Sequence, residues 1–249
     1  MLKKRIDQLL VEKKLVESRT KAQAMIMAGQ IYINRKQIQK SGQLVSYESN
    51  IQIKNLQPEW VSRGALKIIN SIDGFNIDIK NKICLDLGAS TGGFTHVLLK
   101  KGAKKIFAID VGKNQLHEKL LKEKKIINIQ RTNARYLTSS IIKEKIDIIV
   151  CDVSFISLKK VIEPNLKFLK KNGKILALIK PQFEAQKKEI KKGVVLNDEV
   201  HKRICDEYKL WFKKNCSMKV NGIVKSPIKG PKGNIEFFIF CENYKNLKQ

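Results

Sequence analysis

The 249-residue chain has no Cys-x-x-Cys spacing, only three histidines, and no apolar run near the ~18 residues that a membrane-spanning helix requires. Each shortage removes a class of function. The five cysteines, Cys84, Cys151, Cys205, Cys216 and Cys241, are odd in number and mostly sit inside apolar stretches, so they read as small core residues in a reducing cytoplasm. His96, His117 and His201 are too scattered for a metal cluster, and no metal is expected. The opening Met1-Leu2-Lys3-Lys4-Arg5-Ile6-Asp7 is charged where a secretory leader would be apolar, so a soluble, cytoplasmic protein is expected. Acidic residues are scarce too. Fifty Lys and Arg against 23 Asp and Glu leave a net charge of +27, a field suited to a polyanion such as RNA or DNA. Part of that excess is expected on ordinary solvated faces.

What the chain does carry begins with Asp86-Leu87-Gly88-Ala89-Ser90-Thr91-Gly92-Gly93-Phe94-Thr95, where an apolar strand runs into a glycine-rich turn that opens a helix. Such corners bring backbone amides and a helix N-terminus to a bound nucleotide. Asp86, Gly88, Ser90, Thr91, Gly92, Gly93 and Phe94 are therefore candidate cofactor contacts, with Gly92 expected to leave space for the ligand. The next apolar run, Lys105-Ile106-Phe107-Ala108-Ile109-Asp110, ends in an acid where nucleotide-binding α/β folds put a ribose-binding carboxylate. These two motifs fit a nicotinamide enzyme and an S-adenosylmethionine enzyme equally, since both bind an adenosine ribose here.

The first sixty residues read as a unit of their own. Ile6, Leu9 and Leu10 share one helical face; Ser18 can cap a second helix with Ala22, Met25, Ile26 and Ala28 on its apolar side, ending at Gly29. Short strands at 31–33, 43–45 and 51–53 should form a small sheet, with a turn at Asn34-Arg35. The run Ser18-Arg19-Thr20-Lys21-Ala22-x-x-x-Ile26-x-x-Gly29-x-Ile31-x-Ile33-Asn34 resembles the S4 RNA-binding domain over about residues 3–55. That resemblance implies recognition of structured RNA by shape and phosphate contact, with Arg5, Arg19, Lys21, Arg35, Lys36, Lys40 and, past the linker, Arg63 as candidate RNA contacts.

Beyond a linker at 55–62, strand patterns near 82–87, 105–110, 126–130, 146–151 and 174–180 alternate with helical patterns at 94–101, 114–123, 158–170 and 198–214, which predicts a parallel sheet. Two last strands, Lys219–Val224 and Asn234–Cys241, are joined by too little sequence for a crossover helix and should pair antiparallel. That ending disfavours an ordinary nicotinamide-binding domain. The fold class is α/β, with domains at 1–58 and 59–249.

Four charged residues are predicted near the ligand crevice. Asp152 and Lys180 follow apolar strands, at the sheet edge where open α/β folds bind ligands; Lys67 lies just upstream of the fold, and Glu236 interrupts an apolar strand. Any one of them alone reads as half of a structural ion pair. As a set, Lys67, Asp152, Lys180 and Glu236 resemble the tetrad of FtsJ-like RNA ribose 2′-O-methyltransferases. With Cys151-Asp152-Val153-Ser154-Phe155-Ile156-Ser157-Leu158, Leu178-Ile179-Lys180-Pro181-Gln182-Phe183-Glu184 and Lys229-Gly230-Pro231-Lys232-Gly233-Asn234, the chain resembles the TlyA (hemolysin A) family over nearly its whole length. The resemblance implies a Rossmann-like methyltransferase domain after an S4-like α+β domain, with S-adenosylmethionine as methyl donor and a cytidine ribose of ribosomal RNA, in ribosomal subunits, as acceptor. One departure is Ala65, where the pattern leads one to expect a second glycine after Arg63-Gly64. Lys180 is the expected reactive group, as base or as orienting donor. A nonenzymatic RNA-binding assembly factor, a membrane-active hemolysin and a nicotinamide oxidoreductase are the competing classes.

Overall fold

The computed structural model describes residues 3–27, 29–53 and 60–243. Ala28 and most of the expected linker, residues 55–59, lie outside them. The chain divides into two compact units, Met1–Glu59 and Trp60–Gln249.

In the first unit β1 (Lys3–Arg5), α1 (Ile6–Glu12), α2 (Arg19–Met27), β2 (Ile31–Ile33), β3 (Lys36–Gln37), β4 (Leu44–Ser46) and β5 (Ile51–Ile53) follow in order. Ser18 caps α2 as expected, its Oγ accepting the Lys21 N–H at 3.2 Å. Asn34 and Arg35 both take positive φ, 49° and 67°, the backbone that a tight β2–β3 hairpin needs. One small sheet was expected; there are two. β3-β2-β5 forms one, and β4 instead pairs with β1, whose Lys-Lys-Arg sequence carries no strand pattern. Ile6, Leu9 and Leu10 of α1 meet Ala22 and Ile26 of α2 over Ile31 and Val45, one closed core.

The second unit contains α3 (Gly64–Gly74), β6 (Ile83–Leu87), α4 (Gly93–Lys100), β7 (Lys105–Ile109), α5 (Glu118–Leu121), β8 (Ile126–Ile129), β9 (Ile146–Cys151), α6 (Leu158–Ile162), β10 (Leu169–Ile179), α7 (Asp198–Lys214), β11 (Met218–Lys225) and β12 (Phe237–Asn243). Its seven strands lie in the order β11-β12-β10-β9-β6-β7-β8. β12 is antiparallel to both β10 and β11, so it alone runs against the other six. Successive strand residues face opposite sides, and both sides are apolar: Ile149 and Cys151 join the core under α6 and α7, while Ile148 and Val150 join the one under α3 and α4.

Three expectations need correction. The helix predicted at 158–170 stops at Ile162, tightens into a 3-10 turn over Glu163–Phe168 that has Pro164 in its first turn, and gives way to β10 from Leu169. The helix at 114–123 shrinks to Glu118–Leu121. Lys67 is not upstream of the fold; α3, which carries it, packs within the second unit. The 198–214 helix stands as read, because Asn197 accepts the Glu199 N–H at 2.8 Å, acids occupy its first turn and lysines its last.

Candidate active site

The carboxyl ends of β6, β7 and β9 open on a cleft of about 410 Å³, lined by Gly88, Ser90, Asp110, Asn133, Asp152 and Ser154 among others. Asp110 is tied into its own corner: Oδ2 accepts the Ser90 N–H and Oδ1 the Gly112 N–H, each at 2.7 Å. Both oxygens keep a second lone pair for a ligand hydroxyl. Ser90 takes φ 48° to make its bond. Gly88, at φ +84°, could not be replaced, because a Cβ there would lie 2.8 Å from the Asp152 carbonyl oxygen.

The other glycines act differently from the expectation. A Cβ on Gly92 (φ +92°) would strike Leu120 and Leu116 at 2.3 and 2.7 Å, so this glycine permits packing and the αL cap of α4 and does not keep space for a ligand. Gly93 lets α4 press on the start of α3, where a Cβ would sit 2.9 Å from the Ala65 nitrogen. Ala65 itself is buried inside the first turn of α3, where a helical backbone suits alanine. Phe94 is buried on Phe238, and Thr91 lies exposed; neither lines the cleft.

Asp86 lies beneath the loop, wholly buried, with Oδ2 receiving the Thr95 hydroxyl at 2.6 Å and Oδ1 lacking any partner. Burial pushes its carboxyl up to about 7, opposed by the Thr95 hydrogen bond and helped by the neighbouring Asp152 charge. An unsatisfied buried acceptor beside a cleft is where a cationic ligand group fits.

The four tetrad residues, far apart in sequence, converge. Lys67 Nζ donates to Glu236 Oε2 at 2.7 Å and stands 3.8 Å from Asp152 Oδ2. Lys180 Nζ is 2.5 Å from Asp152 Oδ1 and donates to Ser154 Oγ at 2.8 Å. Gln182 Nε2 completes the far end with a 3.1 Å bond to Glu236 Oε1. Lys67, Lys180 and Glu236 are buried, the last to 1 % exposure, and two cations balance two anions, as burial requires. Glu236 does not interrupt a strand: β12 starts one residue later, and the carboxylate lies against Gly230, where a Cβ would come within 2.2 Å of Oε1.

Sequence reasoning missed Ser154 and Gln182 as tetrad partners, and also the loop after β8, whose Thr132, Asn133 and Ala134 line the cleft. Their nearest signal was position at the end of a strand. Beside Ser154, Phe155 stands 91 % exposed at φ 63°, its ring 5.1 Å from that of Phe183. Glu184 holds this loop to the segment after Lys180 by accepting the Leu158 N–H at 2.8 Å.

Residues 60–243 match the family model described as FtsJ-like methyltransferase, and residues 4–50 match the S4 domain model. The chain belongs to the FtsJ-like methyltransferase family. It is 38 % identical over 235 residues to Hemolysin A of Brachyspira hyodysenteriae, covering 94 % of this chain and 97 % of that one. It is 35 % identical over 237 residues to the 16S/23S rRNA (cytidine-2′-O)-methyltransferase TlyA of Mycobacterium tuberculosis, covering 95 % and 88 %. A solved structure described as a hemolysin from Streptococcus thermophilus shares 35 % identity with a TM-score of 0.73, over 97 % of this chain and 89 % of that one. Membership therefore extends to the TlyA group. Among the described residues no helix is long and apolar enough to cross a membrane, and no cluster of metal-ligating side chains occurs.

The candidate RNA contacts of the S4 unit divide into two sets. Arg5 grips the buried Asp7 with Nε and Nη2 at 3.1 and 3.0 Å, and Arg19 Nε reaches the same carboxylate at 2.9 Å. Asp7 is thereby held well below the usual carboxylate range, chiefly by Arg5. These two arginines knit β1 and α2 to α1, and both side chains stay partly exposed. Lys21 pairs with Glu17, while Arg35, Lys36 and Lys40 are exposed. Arg63, in the second unit, is exposed at the start of α3.

Proposed function

We propose that the protein transfers a methyl group from S-adenosylmethionine to the ribose 2′-hydroxyl of a cytidine in ribosomal RNA, acting in the cytoplasm where ribosomal subunits are found. The buried network Glu236–Lys67–Asp152–Lys180 beside the cleft carries this reading. A binding protein that only needed the fold would gain nothing from desolvating two lysines and two acids at one sheet edge, whereas an enzyme acting on a hydroxyl gains a rigid polar frame.

Asp110 would hold the adenosine ribose, the 88–90 turn would let the ligand approach the backbone, and the unpartnered Asp86 oxygen would receive a cationic group. When bound, the cofactor supplies a methyl group on a sulfonium, which is open to in-line displacement. The chain's own task is to align a poor nucleophile and manage its proton. Lys180 would do this as base or as orienting donor, its Nζ fixed between Asp152 Oδ1 and Ser154 Oγ. Lys67, fixed by Glu236, holds Asp152 from the other side. Phe155 offers an exposed ring at the cleft mouth on which an unstacked base can rest. The S4 unit supplies sequence-tolerant anchorage to structured RNA.

Purified protein, labelled S-adenosylmethionine and small or large ribosomal subunits lacking the modification provide the test. Label should appear on a cytidine ribose; absence of label from both subunits would remove the reading.

A further inference from the structure

The tetrad joins two different surfaces. At one end Asp152 and Ser154 line the cleft; at the other Glu236 packs against Gly230, in a loop spanning 226–234. Asn234, 2 % exposed, fastens that loop to the segment 186–195: Nδ2 donates to the Gly193 and Pro231 carbonyls at 2.9 and 3.0 Å, and Oδ1 accepts the Val195 N–H at 3.2 Å. The Lys232 side chain lies across Gly193, where a Cβ would fall 2.9 Å from Nζ. The two loops are thus joined into one edge.

That edge carries Lys187, Lys188, Lys191, Lys192, Lys229 and Lys232, all six exposed. Among the described residues none of the six is in an ion pair, unlike Lys21, Lys101 or Lys170 elsewhere. Glu189 is the only carboxylate in the two segments, and it is turned away: both oxygens take Arg203 Nη2 at 2.8 Å, and Oε2 also accepts the Gln186 N–H. A coding bias toward lysine explains their number but not a local surface from which the one acid has been withdrawn.

We propose that this edge is a phosphate-binding rim for the RNA strand on either side of the nucleotide being methylated, an inference that rests on the methyltransferase reading above. A ribose in a chain carries a phosphate on each side. The rim adjoins the Glu236 end of the tetrad through Gly230, so a ribose that reaches the tetrad from outside the cofactor cleft would bring its phosphates toward these lysines. Lysines suit that task as mobile point charges that neutralise phosphate without reading sequence.

The test compares two full-length variants of equal net charge. One has Lys187→Gln, Lys188→Gln, Lys191→Gln, Lys192→Gln, Lys229→Gln and Lys232→Gln; the other has Lys122→Gln, Lys124→Gln, Lys125→Gln, Lys143→Gln, Lys213→Gln and Lys214→Gln, six lysines on other elements. Binding to purified ribosomal subunits is measured over a salt series, and cofactor affinity by calorimetry. The rim variant should bind subunits at least tenfold more weakly, with the slope of log affinity against log salt flattened by roughly 0.7 to 0.9 for each phosphate that is no longer neutralised. Its cofactor affinity should be unchanged, and the control should shift less than threefold. Equal losses in the two variants would overturn the rim. A wild type that binds with the rim-dependent slope yet transfers no methyl group would remove the methyltransferase reading and still support the rim.

Discussion

Lys67 and Glu236, 169 positions apart, meet through a 2.7 Å hydrogen bond at which both side chains are almost wholly withdrawn from solvent. Neither could be buried alone, since an unpaired charge in such a place costs several kcal/mol. Lys67 is on α3 and Glu236 immediately precedes β12, so the bond ties that helix to the start of the strand that runs against the others.

Removal of the Lys180 ammonium should spare binding and stop chemistry. Lys180→Ala is expected to fold and bind S-adenosylmethionine and RNA nearly as the parent does, while single-turnover methyl transfer falls by about 100-fold or more. Lys180→Arg should not restore it, because a planar guanidinium cannot occupy the same point between Asp152 and Ser154. Near-normal rates for Lys180→Ala under saturating cofactor and RNA would remove this residue from the mechanism.

Ser154 tests how far the frame matters. Its hydroxyl is one of two groups that fix Lys180 Nζ, so Ser154→Ala should lower the single-turnover rate about tenfold, the worth of roughly one hydrogen bond of 1.4 kcal/mol. Ser154→Thr keeps the hydroxyl and should recover most of the rate. A loss confined to cofactor affinity would make Ser154 a ligand contact only.

Gly230 has ordinary backbone angles, φ −72° and ψ −173°, so its requirement is purely one of space. Gly230→Ala would drive a methyl group into Glu236 and should depress methyl transfer without unfolding the protein. In a double-mutant cycle, Glu236→Ala removes the obstacle, and the pair should be no worse than Glu236→Ala alone, a coupling of about 0.5 to 3 kcal/mol. Additive losses would contradict the contact.

Asp86 gives the fold a pH signature. Its carboxyl titrates near 4 when unfolded and near 7 when buried, so between those values the folded chain holds a proton that the unfolded chain has released. Stability from this group is complete below about pH 4, declines as pH rises toward 7, and is flat above. Asp86→Asn cannot ionise, so its melting temperature relative to the parent should improve from pH 5 to pH 8; a constant difference across that range would place the titration elsewhere.

Much of this was legible in the sequence where one physical signal dominated. The apolar runs at 83–87, 105–109 and 146–151 form the buried parallel strands, and the capped, charge-graded α7 has the limits read from its pattern. β1 was not legible, because three basic residues become a strand only through pairing with Leu44–Ser46. The tetrad was visible through family resemblance, but its supports were not: nothing in the spacing of Ser154 from Lys180, or Gln182 from Glu236, announces a hydrogen bond. Gly92 misleads for a related reason. A turn glycine reveals its φ in sequence but not its neighbours, and these are Leu116 and Leu120.

The reversed strand has a consequence for how the protein is made. Among the described residues β12 is the last strand in chain order, yet it lies inside the sheet between β10 and β11. During vectorial synthesis the edge of β10 stays open, and Lys67 waits without its carboxylate, until β12 emerges and inserts. Folding of the second unit is therefore committed late, through contacts of long sequence separation that form slowly. A nascent chain stalled before Glu236 would display an unpaired strand edge and an uncompensated lysine.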